Sequence, residues 1–290
     1  MLGQSLWNLG KYNEAIASHK EAIQYGKVAN NNSRIAFSWE KLGDLFKLTG
    51  EKTKALDAYD SSANYYAVIK DSSSIINNFN NVGDVYKNDK NYTKAVEYYN
   101  KAYGYAKSLN SKKQLINSLS NIAGAYFSYD SSAAKKYYKQ CLELSKSEGD
   151  IVNQFYCLLN LGTLESRNYH FAASSNYLNQ AVAISNKISS KEDIGFLYNS
   201  MGNIAYWQLD FTKAEQHYDK AMQIYDSIGN KTEYIKNINN IANLYISKGN
   251  FDVAEKKYKQ SIAIAESISN KLLKADALNA LSYLYQLQGE

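Results

Sequence analysis

Asparagine recurs at a regular interval along the chain, and its side chain offers a specific kind of hydrogen-bonding chemistry. An amide has one acceptor and two donors, which is the complement of a peptide group. The spacing is a multiple of 40 residues, apart from one step of 39. We therefore predict that these amides hold an extended peptide by its backbone and leave its sequence loosely read. The row comprises Asn81, Asn121, Asn160 and Asn240, and it is broken by Lys41 and Ser200.

Other polar and aromatic residues accompany this row. Asparagine is a poor residue for the middle of a helix, because its amide competes for backbone hydrogen bonds. Its repeated use there indicates a function that compensates for the lost helix stability, although two alternatives stay open. The asparagines could fill solvent-facing positions, or they could bridge one helix to the next. We predict that the binding surface is completed by Asn199, Asn203, Asn243, Tyr156 and Phe196.

The residues that usually perform catalysis or bind metals form no cluster in the sequence. The histidines and cysteines stand apart from one another, with no spacing typical of a metal site or a catalytic triad. No glycine-rich phosphate loop is present. We predict no catalytic activity, no metal and no cofactor. The residues concerned are His19, His170, His217, Cys141 and Cys157; we expect His19 and both cysteines to be buried in the core.

An internal repeat positions all of these residues. Each repeat has a small anchor residue, as in FNNVGDVY (79–86) and YNSMGNIA (198–205). About nine residues later a second motif alternates aromatic and small residues, as in NYTKAVEYYNKA (91–102). The single 39-residue step is traced to a turn, between Ala123 and Ala134, that is one residue shorter than the others. The anchors are Gly3, Gly43, Gly83, Ala123, Gly162, Gly202, Ala242 and Ser282.

These two motifs resemble the tetratricopeptide repeat, although the period is 40 rather than about 34 residues. The longer period is similar to that of kinesin light chains, cell-polarity scaffolds and bacterial pheromone regulators. The resemblance implies an all-α, right-handed solenoid of about seven antiparallel hairpins, forming one array over residues 1–290. It also implies that the asparagine row lies in a concave groove, as in kinesin light chains. Some tetratricopeptide repeat proteins bind a C-terminal carboxylate with a clamp of Lys, Asn and Arg. The resemblance does not imply that clamp here, because the positions that would carry it hold Glu40, Asp44, Asn80 and Asp84.

Apolar residues at three-to-four spacing, separated by short polar turns, predict the helices directly. Each repeat should consist of an inner helix that carries the anchor and an outer helix that carries the second motif. We expect inner helices near 34–48, 73–88, 113–128, 151–167, 192–207, 232–247 and 272–287. We expect outer helices near 12–29, 52–69, 92–108, 131–147, 171–187, 211–227 and 251–267.

Composition narrows the class of partner. The net charge is only +5, and lysines are interspersed with acidic residues, so we predict no nucleic-acid binding. No apolar run approaches the roughly 18 residues of a membrane span, and no signal sequence opens the chain, so we predict no membrane contact. Few cysteines and no disulfide pattern favour the cytoplasm. The chain begins and ends within its repeat pattern, which indicates a fragment of a longer array.

These features together predict a protein-interaction scaffold that binds a peptide segment of a partner in its groove. One alternative is a ligand-sensing regulatory domain upstream of a kinase or a DNA-binding effector. A second alternative is self-assembly, possible as a homodimer through the terminal helix 272–287. We expect that helix to expose apolar residues with no following helix to cover them, namely Leu273, Ala277, Leu278, Leu281 and Leu284.

Overall fold

The computed structural model describes residues 2–289, apart from the side chains of Leu2, Gln4 and Asn8, and every regular element in that range is helical. The short helix α1 (Leu2–Asn8) pairs with α2 in the first hairpin, and further hairpins of two helices follow. The second helices of the hairpins are α2 (Tyr12–Val28), α4 (Lys52–Val68), α6 (Tyr92–Ser108), α8 (Ser131–Ser147), α10 (Phe171–Ile184), α12 (Phe211–Ser227) and α14 (Phe251–Ser267). The first helices, which carry the anchors, are α3 (Asn32–Leu48), α5 (Ser72–Asn88), α7 (Lys112–Tyr126), α9 (Ile151–Arg167), α11 (Lys191–Trp207), α13 (Lys231–Ser247) and α15 (Lys271–Gln288).

The helices form two compact units, Met1–Glu148 and Gly149–Glu290. Unit 1 contains α1 to α8, and unit 2 contains α9 to α15. Within each unit, every helix packs against the one before it and the one after it along the chain. The all-α hairpin architecture is therefore confirmed, whereas a single array over residues 1–290 stays a prediction.

The helix bounds agree with the predicted ones to within two residues, except at the end of α10, and the differences at the ends of α7 and α10 have a local cause. Most hairpins turn through a left-handed residue seven positions after the anchor, such as Gly50 with φ 78° or Lys90 with φ 59°. The shorter turn after α7 contains no left-handed residue, and α7 ends at Tyr126 rather than 128. Similarly, α10 ends at Ile184 and a 3₁₀ turn, Ser185–Lys187, replaces its predicted last residues.

The glycine anchors allow an aromatic ring of the second helix to lie directly on the backbone of the first. A Cβ built on Gly43 would lie 2.6 Å from Cε1 of Tyr59. One built on Gly202 would lie 2.5 Å from Cδ1 of Tyr218. The imidazole of His19 fills the same place above Gly3, so His19 is the core residue that the sequence indicates. Cys141 and Cys157 are buried as well.

Two asparagines lie in the core rather than on the surface, five residues before their anchors. Asn237 of α13 is 1% exposed; its Nδ2 donates to the backbone oxygen of Tyr218 at 2.5 Å, while its Oδ1 has no partner among the described residues. Asn78 of α5 is 2% exposed, yet neither its Oδ1 nor its Nδ2 has a partner in residues 2–289. A buried amide without partners has lost its hydration and gained nothing in return, which destabilises the fold.

Replacing Asn78 with leucine should therefore raise the free energy of unfolding, by about 1–2 kcal/mol. The equivalent position in α11 already holds a buried leucine, Leu197, which shows that the repeat accommodates a leucine side chain at this position. Asn237→Leu is the matched comparison and should stabilise less than Asn78→Leu, because it removes one made hydrogen bond together with one unpaired oxygen. Urea unfolding followed by circular dichroism would measure both, and an equal or larger gain for Asn237→Leu would contradict the assignment.

Helix α15 buries most of the residues that its sequence was expected to expose. Leu273, Ala277, Leu281 and Leu284 are buried, and the three leucines pack against helices α13 and α14. The prediction that these four are exposed is wrong, because the apolar stripe of a first helix covers the preceding hairpin. Leu278 alone of the predicted five is exposed, at 44%. The homodimer through 272–287 loses most of its support and stays a prediction.

Candidate functional site

Four asparagines form two hydrogen-bonded pairs, one in each unit. In unit 1, Nδ2 of Asn121 donates to Oδ1 of Asn80 at 3.2 Å. In unit 2, Nδ2 of Asn240 donates to Oδ1 of Asn199 at 2.9 Å. Each pair joins the first helices of consecutive hairpins, α5 to α7 and α11 to α13. In both pairs the donor stands two residues before its anchor and the acceptor stands three residues before the preceding anchor, so the two contacts are equivalent.

Each asparagine pair keeps one free donor group and one free acceptor. In the first pair, Nδ2 of Asn80 and Oδ1 of Asn121 bond to no described residue. The same holds for Nδ2 of Asn199 and Oδ1 of Asn240. All four side chains are partly buried, so they are ordered but still reach the surface. A pair therefore leaves one donor group and one acceptor that no described residue uses.

The other members of the asparagine row are held differently. Oδ1 of Asn81 accepts from Nζ of Lys47 at 3.4 Å. Nδ2 of Asn160 donates to the backbone oxygen of Tyr156, one turn earlier in its own helix, at 2.8 Å. The row is thus not a uniform ladder. Its asparagines bridge helices in two places, and these bridges leave groups available for a ligand.

Asn203 and Asn243, one residue after their anchors, connect the two helices of a hairpin. Oδ1 of Asn203 accepts from the hydroxyl of Tyr218 at 2.8 Å, and Oδ1 of Asn243 accepts from that of Tyr258 at 2.6 Å. These amide oxygens are therefore engaged within the protein. Sequence reasoning missed this role, although a tyrosine fifteen residues after each asparagine was the available signal. The corresponding bonds in unit 1 join Tyr59 to Asp44 at 2.7 Å and Tyr99 to Asp84 at 2.6 Å.

The two predicted aromatic site residues also differ from each other. The hydroxyl of Tyr156 donates to Oδ2 of Asp193 at 2.6 Å, which ties α9 to the first turn of α11. This hydrogen bond, together with burial, raises the pKa of Tyr156 to about 12. The ring of Phe196 is exposed and free to contact a ligand. In unit 1 the equivalent position holds Phe37, which is 45% exposed.

The first helices of unit 1 carry an ordered set of charges at positions where α11 carries neutral residues. Nζ of Lys41 lies 2.9 Å from Glu40 and 2.8 Å from Asp44. Burial opposes the charge on Lys41, but its hydrogen bonds to both carboxylates outweigh burial and raise its pKa. Lys47 and Lys87 both approach Asp84, each at 3.8 Å. The three lysines are therefore balanced by three carboxylates.

Two negative findings concern residues 2–289. None of the helices described there is long and apolar enough to cross a membrane. Among the same residues, no three His, Cys, Asp or Glu side chains come together in a way that would hold a metal ion.

Comparison with known families and structures identifies the repeat. A tetratricopeptide repeat model matches residues 74–147 and 193–267, and a second tetratricopeptide repeat model matches residues 1–25. The chain belongs to the tetratricopeptide repeat family. No curated protein sequence matches it.

Solved structures of other proteins share the fold. One is a signal-transduction ATPase with a tetratricopeptide repeat sensor from Pyrococcus horikoshii, with a TM-score of 0.76 and 19% identity over 96% of this chain and 41% of that one. Another is BtubC from P. vanneervenii, with a TM-score of 0.67 and 16% identity over 80% and 92% of the two chains. A third is NprR in complex with its cognate peptide NprX, with a TM-score of 0.57 and 14% identity over 99% and 86%.

The tyrosine bonds within the hairpins of this tetratricopeptide repeat protein should differ in strength. Burial raises the pKa of Tyr258 to about 12, so its hydroxyl keeps its proton and donates at neutral pH. Tyr99 donates to a carboxylate, and hydrogen bonds to charged groups are stronger than those to amides. Tyr99→Phe should therefore lower the free energy of unfolding by about 2 kcal/mol and Tyr258→Phe by about 1 kcal/mol. Urea unfolding of both variants checks the order, and a larger loss for Tyr258→Phe would contradict it.

Proposed function

We propose that this chain is a non-catalytic interaction module that binds an extended peptide segment of a partner protein. The observation that carries the proposal is the asparagine pair found once in each unit, Asn80 with Asn121 and Asn199 with Asn240. The mutual hydrogen bond fixes both amides before a ligand arrives, which reduces the entropy lost on binding. Each pair then offers an acceptor and a donor to the N–H and C=O of one residue of an extended peptide.

Recognition of this kind reads the backbone of the ligand more than its side chains. The amides contact groups that every residue possesses, so many sequences should bind with similar affinity. Exposed rings such as Phe196 and Phe37 add contacts with apolar side chains. The complex of NprR with its cognate peptide supports the proposal, because that protein shares the fold and holds a peptide.

The test is a comparison of two peptide libraries. The first contains N-acetylated eight-residue peptides of mixed sequence, and the second contains the same sequences with every backbone amide N-methylated. We expect the immobilised chain to retain members of the first library and to bind the second at least tenfold more weakly. The reason is that N-methylation removes the backbone N–H groups that would donate to the asparagine oxygens. Equal retention of both libraries would show that side chains are read instead. Retention of neither would refute peptide binding.

A second candidate function is that of a ligand sensor within a larger regulatory protein. The ATPase from Pyrococcus horikoshii favours it, since its tetratricopeptide repeat part is a sensor and this chain spans 41% of that protein. A sensor must change conformation when its ligand binds, whereas a scaffold need not. Small-angle scattering with and without a retained peptide distinguishes them. A changed radius of gyration supports the sensor, and an unchanged one supports the scaffold.

A further inference from the structure

The loops that join consecutive hairpins of unit 1 concentrate positive charge. With the adjoining helix ends they span residues 25–34, 65–74 and 105–114, where α2 meets α3, α4 meets α5 and α6 meets α7. They contain six basic side chains and one acidic one, Asp71, so their net charge of +5 equals that of the whole chain. The basic residues, all of them exposed, are Lys27, Arg34, Lys70, Lys107, Lys112 and Lys113.

The corresponding loops further along the chain lack this charge. Those loops span residues 144–153, 184–193, 224–233 and 264–273. They contain five basic and seven acidic side chains, which gives a net charge of −2. Some of these charges are paired, as Lys231 is with Asp226 at 2.9 Å. In the three loops of unit 1, by contrast, no basic side chain forms an ion pair or a hydrogen bond with a described residue. Their charge is therefore a specific feature of unit 1 and not of the repeat.

The three basic loops form one edge of unit 1, which we call the basic edge. The helices alternate in direction, so every loop of this kind lies at the same end of its hairpin. The first helices α3, α5 and α7 pack on one another in order, which places the loops side by side. Packed helices lie about 10 Å apart, close to the screening length of about 8 Å at physiological salt. The charges of neighbouring loops therefore act together on a ligand.

The basic edge also exposes large apolar side chains. Val28 is 84% exposed, Val68 is 65% exposed and Tyr25 is 66% exposed. A single exposed apolar residue needs no explanation, whereas a patch of them on adjacent loops indicates a binding surface. The remaining members of the patch are Ile69, Tyr105 and Leu109.

The two valines stand where most second helices end in serine. Helices α6, α8, α12 and α14 all end in serine, whereas α2 and α4 end in Val28 and Val68. The hydroxyl of Ser108 donates to the backbone oxygen of Tyr105 at 2.8 Å, and the other three serines make the same bond. Valine cannot make this bond, and it places an apolar side chain in water. The valines therefore offer the fold less than serine would, which points to a contact outside the chain.

We propose that the basic edge attaches unit 1 to the surface of an anionic lipid membrane. The basic side chains would lie near the headgroup phosphates, and Val28, Val68 and Tyr25 would enter the interfacial layer. Basic residues combined with exposed apolar and aromatic ones allow a protein to lie on a membrane without spanning it. Each Lys or Arg near such a surface contributes about fivefold in affinity.

This inference is independent of the asparagine pairs and of peptide binding. The sequence prediction of no membrane contact rested on the lack of a membrane-spanning run and of a signal sequence. Neither observation bears on attachment to a membrane surface through charge and a few apolar side chains. The basic edge therefore revises that prediction for unit 1.

The apolar side chains favour a lipid surface over other polyanions. Nucleic acid offers phosphates to lysine, but the outside of its backbone has no apolar layer for aliphatic side chains such as Val68. An acidic protein would need a separate apolar contact for each of several side chains on different loops. A lipid surface is fluid, and it supplies anionic headgroups and an apolar layer at every position along the edge.

Sedimentation of the chain with lipid vesicles tests the proposal. One set of vesicles consists of phosphatidylcholine alone, and a second set contains about 30% phosphatidylserine. We expect the chain to sediment with the anionic vesicles and not with the neutral ones. Binding should weaken as salt is added, because salt screens the attraction. Absence of sedimentation with anionic vesicles at low salt would overturn the proposal.

Two triple variants separate the basic edge from the net charge of the chain. The first removes three basic side chains from the edge and should weaken binding to anionic vesicles at least tenfold. The second removes three exposed lysines from elsewhere in unit 1 and should weaken it less than about threefold. Equal losses would show that only the net charge matters, and the proposal would fall. The first variant is Lys107→Gln with Lys112→Gln and Lys113→Gln, and the second is Lys20→Gln with Lys90→Gln and Lys139→Gln.

Val28→Ser combined with Val68→Ser distinguishes a membrane from other anions. Serine ends the equivalent helices, so this variant should be as stable in urea as the unchanged chain. We expect its binding to anionic vesicles to fall at least fivefold, whereas any binding to a short DNA duplex or to polyglutamate should be unchanged. Full binding of the valine variant to vesicles would refute insertion of these side chains and overturn the proposal. Tighter binding of the unchanged chain to DNA or to polyglutamate than to vesicles would also overturn it, in favour of a nucleic acid or an acidic protein.

Discussion

Gly83→Leu is expected to lower the free energy of unfolding by about 3 kcal/mol, the largest stability change that we predict. A Cβ at Gly83 would overlap the ring of Tyr99, which is completely buried. The ring is also held by the 2.6 Å hydrogen bond from its hydroxyl to Asp84, so moving it aside would break that bond. Urea unfolding monitored by circular dichroism measures the loss.

Alanine at two glycine positions provides the control for this prediction. Gly83→Ala should also destabilise, although less, because alanine favours the helix by about 1 kcal/mol over glycine. Gly104 lies in the middle of α6 with nothing within 4 Å of a Cβ, so Gly104→Ala should stabilise by about that amount. If both alanine variants stabilised the protein equally, close packing at the anchor would not be what requires glycine there.

The anchors explain why the fold could be predicted from the sequence. A small residue and a ring sixteen positions later, such as Gly43 and Tyr59, lie within one hairpin, so the signal is local and recurs in most repeats, although Gly162 faces Leu178 instead of a ring. The local sequence does not show which neighbouring helix covers an apolar stripe. The stripe of α15, with Leu281 and Leu284, was read as uncovered, although α14 of the preceding hairpin covers it. Periodicity identifies the stripe but not the neighbouring helix on which it packs.

The candidate site was predictable in part, for a related reason. The sequence identified the row that contains Asn121 and Asn240, because their positions relative to the anchor are regular. It did not reveal their pairing, since Asn121 and Asn80 meet only through the offset between two packed helices. Asn80 was therefore missing from the predicted site residues.

Removing an asparagine pair is expected to produce the largest loss of binding. Asn80→Ala combined with Asn121→Ala removes the two proposed hydrogen bonds to the backbone N–H and C=O of the peptide, worth about 2–3 kcal/mol together, which corresponds to a loss of affinity of about 30- to 150-fold. The change also removes the hydrogen bond between the two amides, so the free energy of unfolding should fall by about 1 kcal/mol. Isothermal titration with a peptide retained from the mixed library gives the affinity, and urea unfolding gives the stability.

The matched control removes two amides from exposed positions on second helices of the same unit, with Asn64→Ala and Asn100→Ala. This control should leave affinity unchanged, because neither side chain belongs to an asparagine pair. The decisive comparison is between affinity and stability, since the pair has both a bridging and a proposed binding role. A loss of stability with full affinity would mean that Asn80 and Asn121 only join α5 to α7. A loss of affinity far beyond the loss of stability requires that the amides contact the peptide, because a bridge alone would weaken the fold without selectively weakening the complex.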